Sequence, residues 1–123
     1  MTLKEINVEL EDVLAECSKP DWDCYGAEPV TVDAIDSART FLMAFPSDIP
    51  LPDFGAEPDG VVTFDWYRDR RYVISFSVGR KNRHSYAWMY GNESGHGVIN
   101  LCKEGDMIDK DILNKIKKIR QLK

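Results

Sequence analysis

At 123 residues, 43% of them hydrophobic and 11% aromatic, the chain has the size of a single domain, residues 1–123, able to bury a core without disulfide or metal staples. No stretch approaches the roughly 20 apolar residues that span a bilayer, and the acid-bearing opening MTLKEINVELEDV lacks the apolar run of a secretory signal, so the expected setting is cytoplasmic. The net charge of −5 hides a split: residues 1–60 carry 14 acids and 3 bases, and residues 61–123 carry 7 acids and 13 bases, which either forms an acidic face for a basic partner or cancels within the fold.

Thr2-Leu3-Lys4-Glu5 has the form of a capping box, in which the threonine hydroxyl and the glutamate carboxylate each accept a backbone N–H of the first turn. A helix follows, because Leu3, Ile6, Leu10, Val13, Leu14 and Cys17 recur at steps of three and four. Lys19-Pro20 ends it, since proline disfavours helical geometry in the residue before it. The next ten residues, PDWDCYGAEP from Pro20 to Pro29, read as a stiff connector. Trp22, Asp23, Tyr25, Gly26 and Pro29 are its structural motif: both aromatics are expected to pin the connector to the core, and the acids Asp21 and Asp23 to cap nearby N–H groups. Thr31 then caps a second helix with Asp33 in its first turn. Its stripe is Ala34, Ile35, Ala38, Phe41, Leu42 and Phe45, and Pro46 stops it.

Residues 46–60 carry Pro46, Pro50, Pro52 and Pro58 and are expected to be extended and rather stiff, with little regular structure and with Ile49, Leu51 and Phe54 lying on the core. From Val61 the period changes to two. Val62, Phe64 and Trp66 alternate with Thr63, Asp65 and Tyr67, and Tyr72, Ile74, Phe76 and Val78 alternate with Val73, Ser75 and Ser77. A third strand covers His84–Tyr90, and a weaker fourth covers Gly97–Leu101 after a turn over residues 91–95. Asp106 and Asp109 mark the start of a last helix with the stripe Ile108, Ile112, Ile116 and Ile119. The predicted fold is α+β: two N-terminal helices, a four-stranded antiparallel meander and a C-terminal helix, with the helices on one face of the sheet.

Catalytic sets do not emerge. Cys17, Cys24 and Cys102 include no CxxC pair, so neither a disulfide framework nor a zinc site of standard spacing is expected. His84, at a strand start, and His96, in a glycine-flanked turn, read as surface residues, and no spacing couples either to a nucleophile. GxSxG, P-loop and HExxH motifs are absent. No catalytic residue, cofactor or metal is assigned. The stronger candidate is the polar sheet face of Asp65, Ser75 and Ser77, with Tyr67, Arg68, Arg70 and Arg71 at its rim, as a docking surface for another protein. Arg80, Lys81 and Arg83 extend the basic turns, but a pI near 5.0 opposes a phosphate backbone, and no nucleic-acid partner is expected.

Trp22-Asp23-Cys24-Tyr25-Gly26-Ala27-Glu28-Pro29-Val30, the helix ending Phe41-Leu42, the proline-rich connector and Pro58-Asp59-Gly60 before a tryptophan-bearing strand resemble short stand-alone bacterial and phage-borne proteins with a WDGYGA-x-P motif. The resemblance spans roughly residues 3–100 and leaves out the last helix. It implies a bacterial or mobile-element setting and supplies no catalytic residues, because that family has no assigned activity. Cys24 stands where the family has glycine, which weakens any claim that the position needs a left-handed backbone. The expected function is therefore macromolecule interaction, in defence, counter-defence (as an inhibitor) or toxin neutralisation. The alternative is a small-molecule or nucleotide-binding or processing domain with a pocket between residues 20–29 and the sheet, using Asp21, Asp23, Tyr25 or His96.

Overall fold

A computed structural model describes residues 1–79, 83–100 and 107–121. The predictions made for Arg80, Lys81, Leu101, Cys102 and Asp106 lie outside those residues. Helix α1 (Leu3–Cys17) opens on the anticipated capping box: the Glu5 N–H donates to Thr2 Oγ1 at 3.2 Å, and the Thr2 N–H donates to Glu5 Oε1 at 2.8 Å. The same Thr2 N–H holds the Glu5 carboxyl below its ordinary pKa. Helix α2 (Val32–Met43) is capped by Thr31, whose hydroxyl accepts the Ala34 N–H at 3.1 Å.

The sheet has five antiparallel strands in sequence order: β1 (Asp53–Ala56), β2 (Val62–Asp69), β3 (Tyr72–Ser77), β4 (Arg83–Tyr90) and β5 (Glu93–Asn100). Four were expected, and β1 is the addition. The prolines that argue against regular structure flank a proline-free window, so Asp53–Ala56 keep the N–H groups needed to pair with Asp65–Val62. Phe54 fixes that pairing edge-on against Phe64 at 4.9 Å.

The last strand is longer than expected. Its turn shrinks to Gly91-Asn92, so β5 begins at Glu93 and takes in Gly95, which was expected in the turn, as well as Gly97. A Cβ at Gly95 would come within 2.6 Å of the Trp88 indole, and one at Gly97 within 2.6 Å of the Tyr86 hydroxyl. The aromatic rings of β4 thus occupy the space that side chains on β5 would need, which compensates two glycines that would otherwise weaken a strand.

Phe41 of α2 is the centre of the core. It is fully buried and meets Phe64 (6.0 Å between ring centroids), Phe76 (5.3 Å) and His84 (4.6 Å), one ring from each of β2, β3 and β4. The apolar residues alternating along β2 and β3 are buried with the helical stripes Ile6–Leu10–Val13–Cys17 and Ile35–Ala38–Phe41–Leu42. Helix α3 (Lys110–Gln121) adds Ile112, Ile116 and Ile119 to the core, as its spacing predicts, while Ile108 is buried just ahead of the helix and not on it, and Lys115 lies over the Trp88 ring at 4.6 Å. The Asp109 carboxylate accepts the Asp111 N–H at the start of this helix, at 3.4 Å. No helix among the described residues is long and apolar enough to cross a membrane.

His84 is not at the surface. It is 1% exposed, and its Nδ1 has no hydrogen-bond partner among the described residues. The parity of β4 accounts for this, because His84 alternates in step with Tyr86, Trp88 and Tyr90 and so shares the face that meets Phe41. His96 is exposed, as expected, but sits within β5 opposite Ala87 and not in a turn.

Candidate functional site

The connector between α1 and α2 is held by its own backbone and by its acids. Asp23 Oδ1 accepts the N–H groups of Tyr25 (2.8 Å) and Ala27 (3.0 Å), and Asp21 Oδ1 accepts that of Gly26 (2.6 Å). The Asp21 N–H donates to the Ala27 carbonyl at 2.8 Å and the Cys24 N–H to the Asp21 carbonyl at 3.0 Å. Two further backbone bonds dock the loop on its surroundings: Val30 N–H to the Cys17 carbonyl and Glu28 N–H to the Pro58 carbonyl, both 2.7 Å. Gly60 makes the second approach feasible, since any side chain there would strike the Pro29 carbonyl oxygen at 2.8 Å. Asp21 and Asp23 therefore cap backbone, as the sequence suggests.

The two aromatics part company. Trp22 is half-buried against the core and donates its Nε1–H to the Glu28 carbonyl at 2.7 Å, so it is a pin. Tyr25 is 92% exposed and pins nothing. The turn forces this outcome. Asp21, Cys24 and Gly26 take φ of 62°, 66° and 81°, and the reversal they produce directs residues 24–26 outward while Ala27 and Val30 turn back into the core.

Cys24 corrects a second expectation, because its backbone is left-handed although the residue is not glycine. Left-handed geometry costs an L-residue about 1–2 kcal/mol, while glycine loses about 0.5–1 kcal/mol more chain entropy on folding. Cys24→Gly is accordingly expected to raise stability by about 0.5–1 kcal/mol. A urea midpoint that falls in the variant would show that the position carries no strain.

The residues predicted on the sheet are distributed by register. Asp65 faces Ser75, Tyr67 faces Val73, and Ser77 faces Thr63 across β2 and β3. Ser77 donates its hydroxyl to Glu57 Oε1 at 2.7 Å. Arg68 lies at an irregularity between Tyr67 and Asp69 and is half-buried, whereas Arg70 and Arg71 stand exposed on the hairpin turn, where the Asp69 carboxylate accepts the Arg71 N–H at 2.8 Å. The same face runs on through Met89 and Val98, which are 39% and 45% exposed beside Tyr67 at 48%. Those two residues were not singled out from the sequence, although strand alternation would have placed them.

Among the described residues no group of three His, Cys, Asp or Glu is placed to hold a metal ion. Asp48, Pro50, Lys117 and Arg120 line one shallow cleft, closed on one side by a 3.0 Å Asp48–Lys117 ion pair, and Tyr86, Ile99, Met107 and Ile112 contribute to another. Neither includes a residue of 20–29. Lys117 holds the Asp48 carboxyl below its ordinary pKa. On the loop and its immediate flanks Glu16, Asp21, Glu28 and Asp33 are exposed and form no ion pair among the described residues, against the exposed base Lys19. No protein-family model, curated protein or solved structure matches the chain.

Proposed function

We propose that the chain is a protein-docking module that inserts Tyr25 into a socket on a partner carrying basic residues. The observation that carries this reading is the 92% exposure of Tyr25 at the tip of a loop whose backbone is fixed from both sides. A tyrosine held on a rigid support gives up little entropy on binding and offers a large apolar body with a polar tip, the character of interface hot spots. The exposed carboxylates beside it steer a basic surface toward the loop. The three helices are read as lying on the Phe64–Phe76 side of the sheet, so that Asp65, Tyr67, Ser75 and Ser77 remain open for a second contact. Docking of this kind suits a bacterial or phage-borne protein of the cytoplasm acting in defence, counter-defence or toxin neutralisation.

Tyr25→Ala tests the reading. Binding to the partner captured from the native host is expected to weaken by about 10- to 30-fold, equivalent to about 1.4–2 kcal/mol, with an unchanged urea midpoint because the side chain touches little of its own fold. Wild-type binding is expected to weaken as salt rises, through screening of the carboxylates. A Tyr25→Ala protein that keeps wild-type affinity would refute the assignment.

A further inference from the structure

The open sheet has two edges, and they differ. β1 has four residues, follows Pro50 and Pro52, precedes Pro58 and carries Asp53. Short length, flanking proline and charge are the features by which proteins blunt an edge. β5 has eight residues and no proline, lysine or arginine, and its single carboxylate is on Glu93 at the very start. It pairs with β4 at every residue from Arg83↔Asn100 to Tyr90↔Glu93 without a register shift. No other strand among the described residues pairs with its other side, which presents a row of backbone N–H and C=O groups roughly 27 Å long at 3.4 Å per residue. The Trp88 and Tyr86 rings over Gly95 and Gly97 keep that row regular through the two positions where it would otherwise give way.

We infer that β5 pairs antiparallel with β5 of a second copy of this chain, joining two five-stranded sheets into one of ten strands. Two features select a second copy over an unrelated strand. First, the strand can pair with itself about a two-fold axis near His96, a register that would set Glu93 against Ile99 and Ser94 against Val98 of the other copy, so that the only carboxylate of each strand meets no like charge. Second, the assembly is self-limiting. Once both β5 edges are consumed, the remaining ends are two β1 strands, short and proline-flanked, and growth stops at the dimer. This inference is independent of the role given to Tyr25.

Sedimentation velocity on the full chain, at concentrations from about 1 to 300 μM, tests it over the range in which modest interfaces assemble. The expected result is a concentration-dependent species of twice the 14.1 kDa chain mass. The double variant Ser94→Lys/Val98→Lys sets lysine against lysine across the axis and is expected to weaken the dimer at least tenfold. Both positions are exposed, which keeps the change out of the core. Hydrogen exchange on the wild-type protein supplies a reading that does not depend on the variant folding: amides of residues 93–100 gain protection as concentration rises. A wild-type chain that remains monomeric throughout, or a dimer that the lysine pair leaves unchanged, overturns the inference.

Discussion

Trp22→Ala is expected to lower stability by about 2–3 kcal/mol, below the 3–5 kcal/mol typical of a fully buried tryptophan because Trp22 is only half-covered. The loss has two parts. The indole packs on the core, and its N–H satisfies the Glu28 carbonyl at 2.7 Å; truncation removes the packing and leaves that carbonyl to find water. Urea unfolding measures the change, with Trp66 and Trp88 remaining as fluorescent probes. A loss under about 0.5 kcal/mol, the range of ordinary surface changes, would show that the loop is held by its backbone bonds and acids without the indole. Set beside Tyr25→Ala, the comparison separates the two aromatics of one loop into a structural and a binding residue.

Stability is expected to fall as pH drops below about 6.5, the ordinary value of an unfolded histidine, because burial lowers the His84 pKa in the folded protein. The depressed value fixes the sign. Above the unfolded pKa both states hold His84 neutral and stability is unaffected by it. Below that pKa the unfolded chain takes a proton that the folded chain refuses, so stability declines until the folded pKa is reached. One such group contributes at most about 1.4 kcal/mol per pH unit. Urea midpoints between pH 7.5 and 5.5 measure the slope, and His84→Leu, which removes an Nδ1 that has no partner among the described residues, is expected to flatten it. Equal slopes in the two proteins would place the protonation elsewhere.

Much of the fold follows from local chemistry that a sequence displays. Thr2 with Glu5, and Thr31 with the turn after it, mark both N-terminal helices because caps use residues a few positions apart. The alternation from Val62 to Ser77 marks β2 and β3 for the same reason. What escaped depends on distant partners. Asp53–Ala56 becomes a strand only because β2 is there to pair with it, and Gly95 and Gly97 are tolerated only because Trp88 and Tyr86 fill their space. In the loop, the acids and glycine were legible as caps and turn. The outward direction of Tyr25 was not, since it follows from left-handed geometry at Asp21 and Cys24 that neither residue type announces. His84 was readable in principle from its parity with Tyr86 and Trp88, a periodic signal that outweighs its polarity.

The position of Phe41 has a consequence for synthesis. Its ring partners in the sheet lie 23, 35 and 43 residues further along the chain, at Phe64, Phe76 and His84. The two N-terminal helices therefore leave the ribosome ahead of the strands that cover them, and Phe41 gains its last ring partner in the sheet only when β4 has emerged. A nascent chain stalled before Phe64 holds Phe41 without any of its three ring partners in the sheet, which leaves apolar surface exposed during that interval.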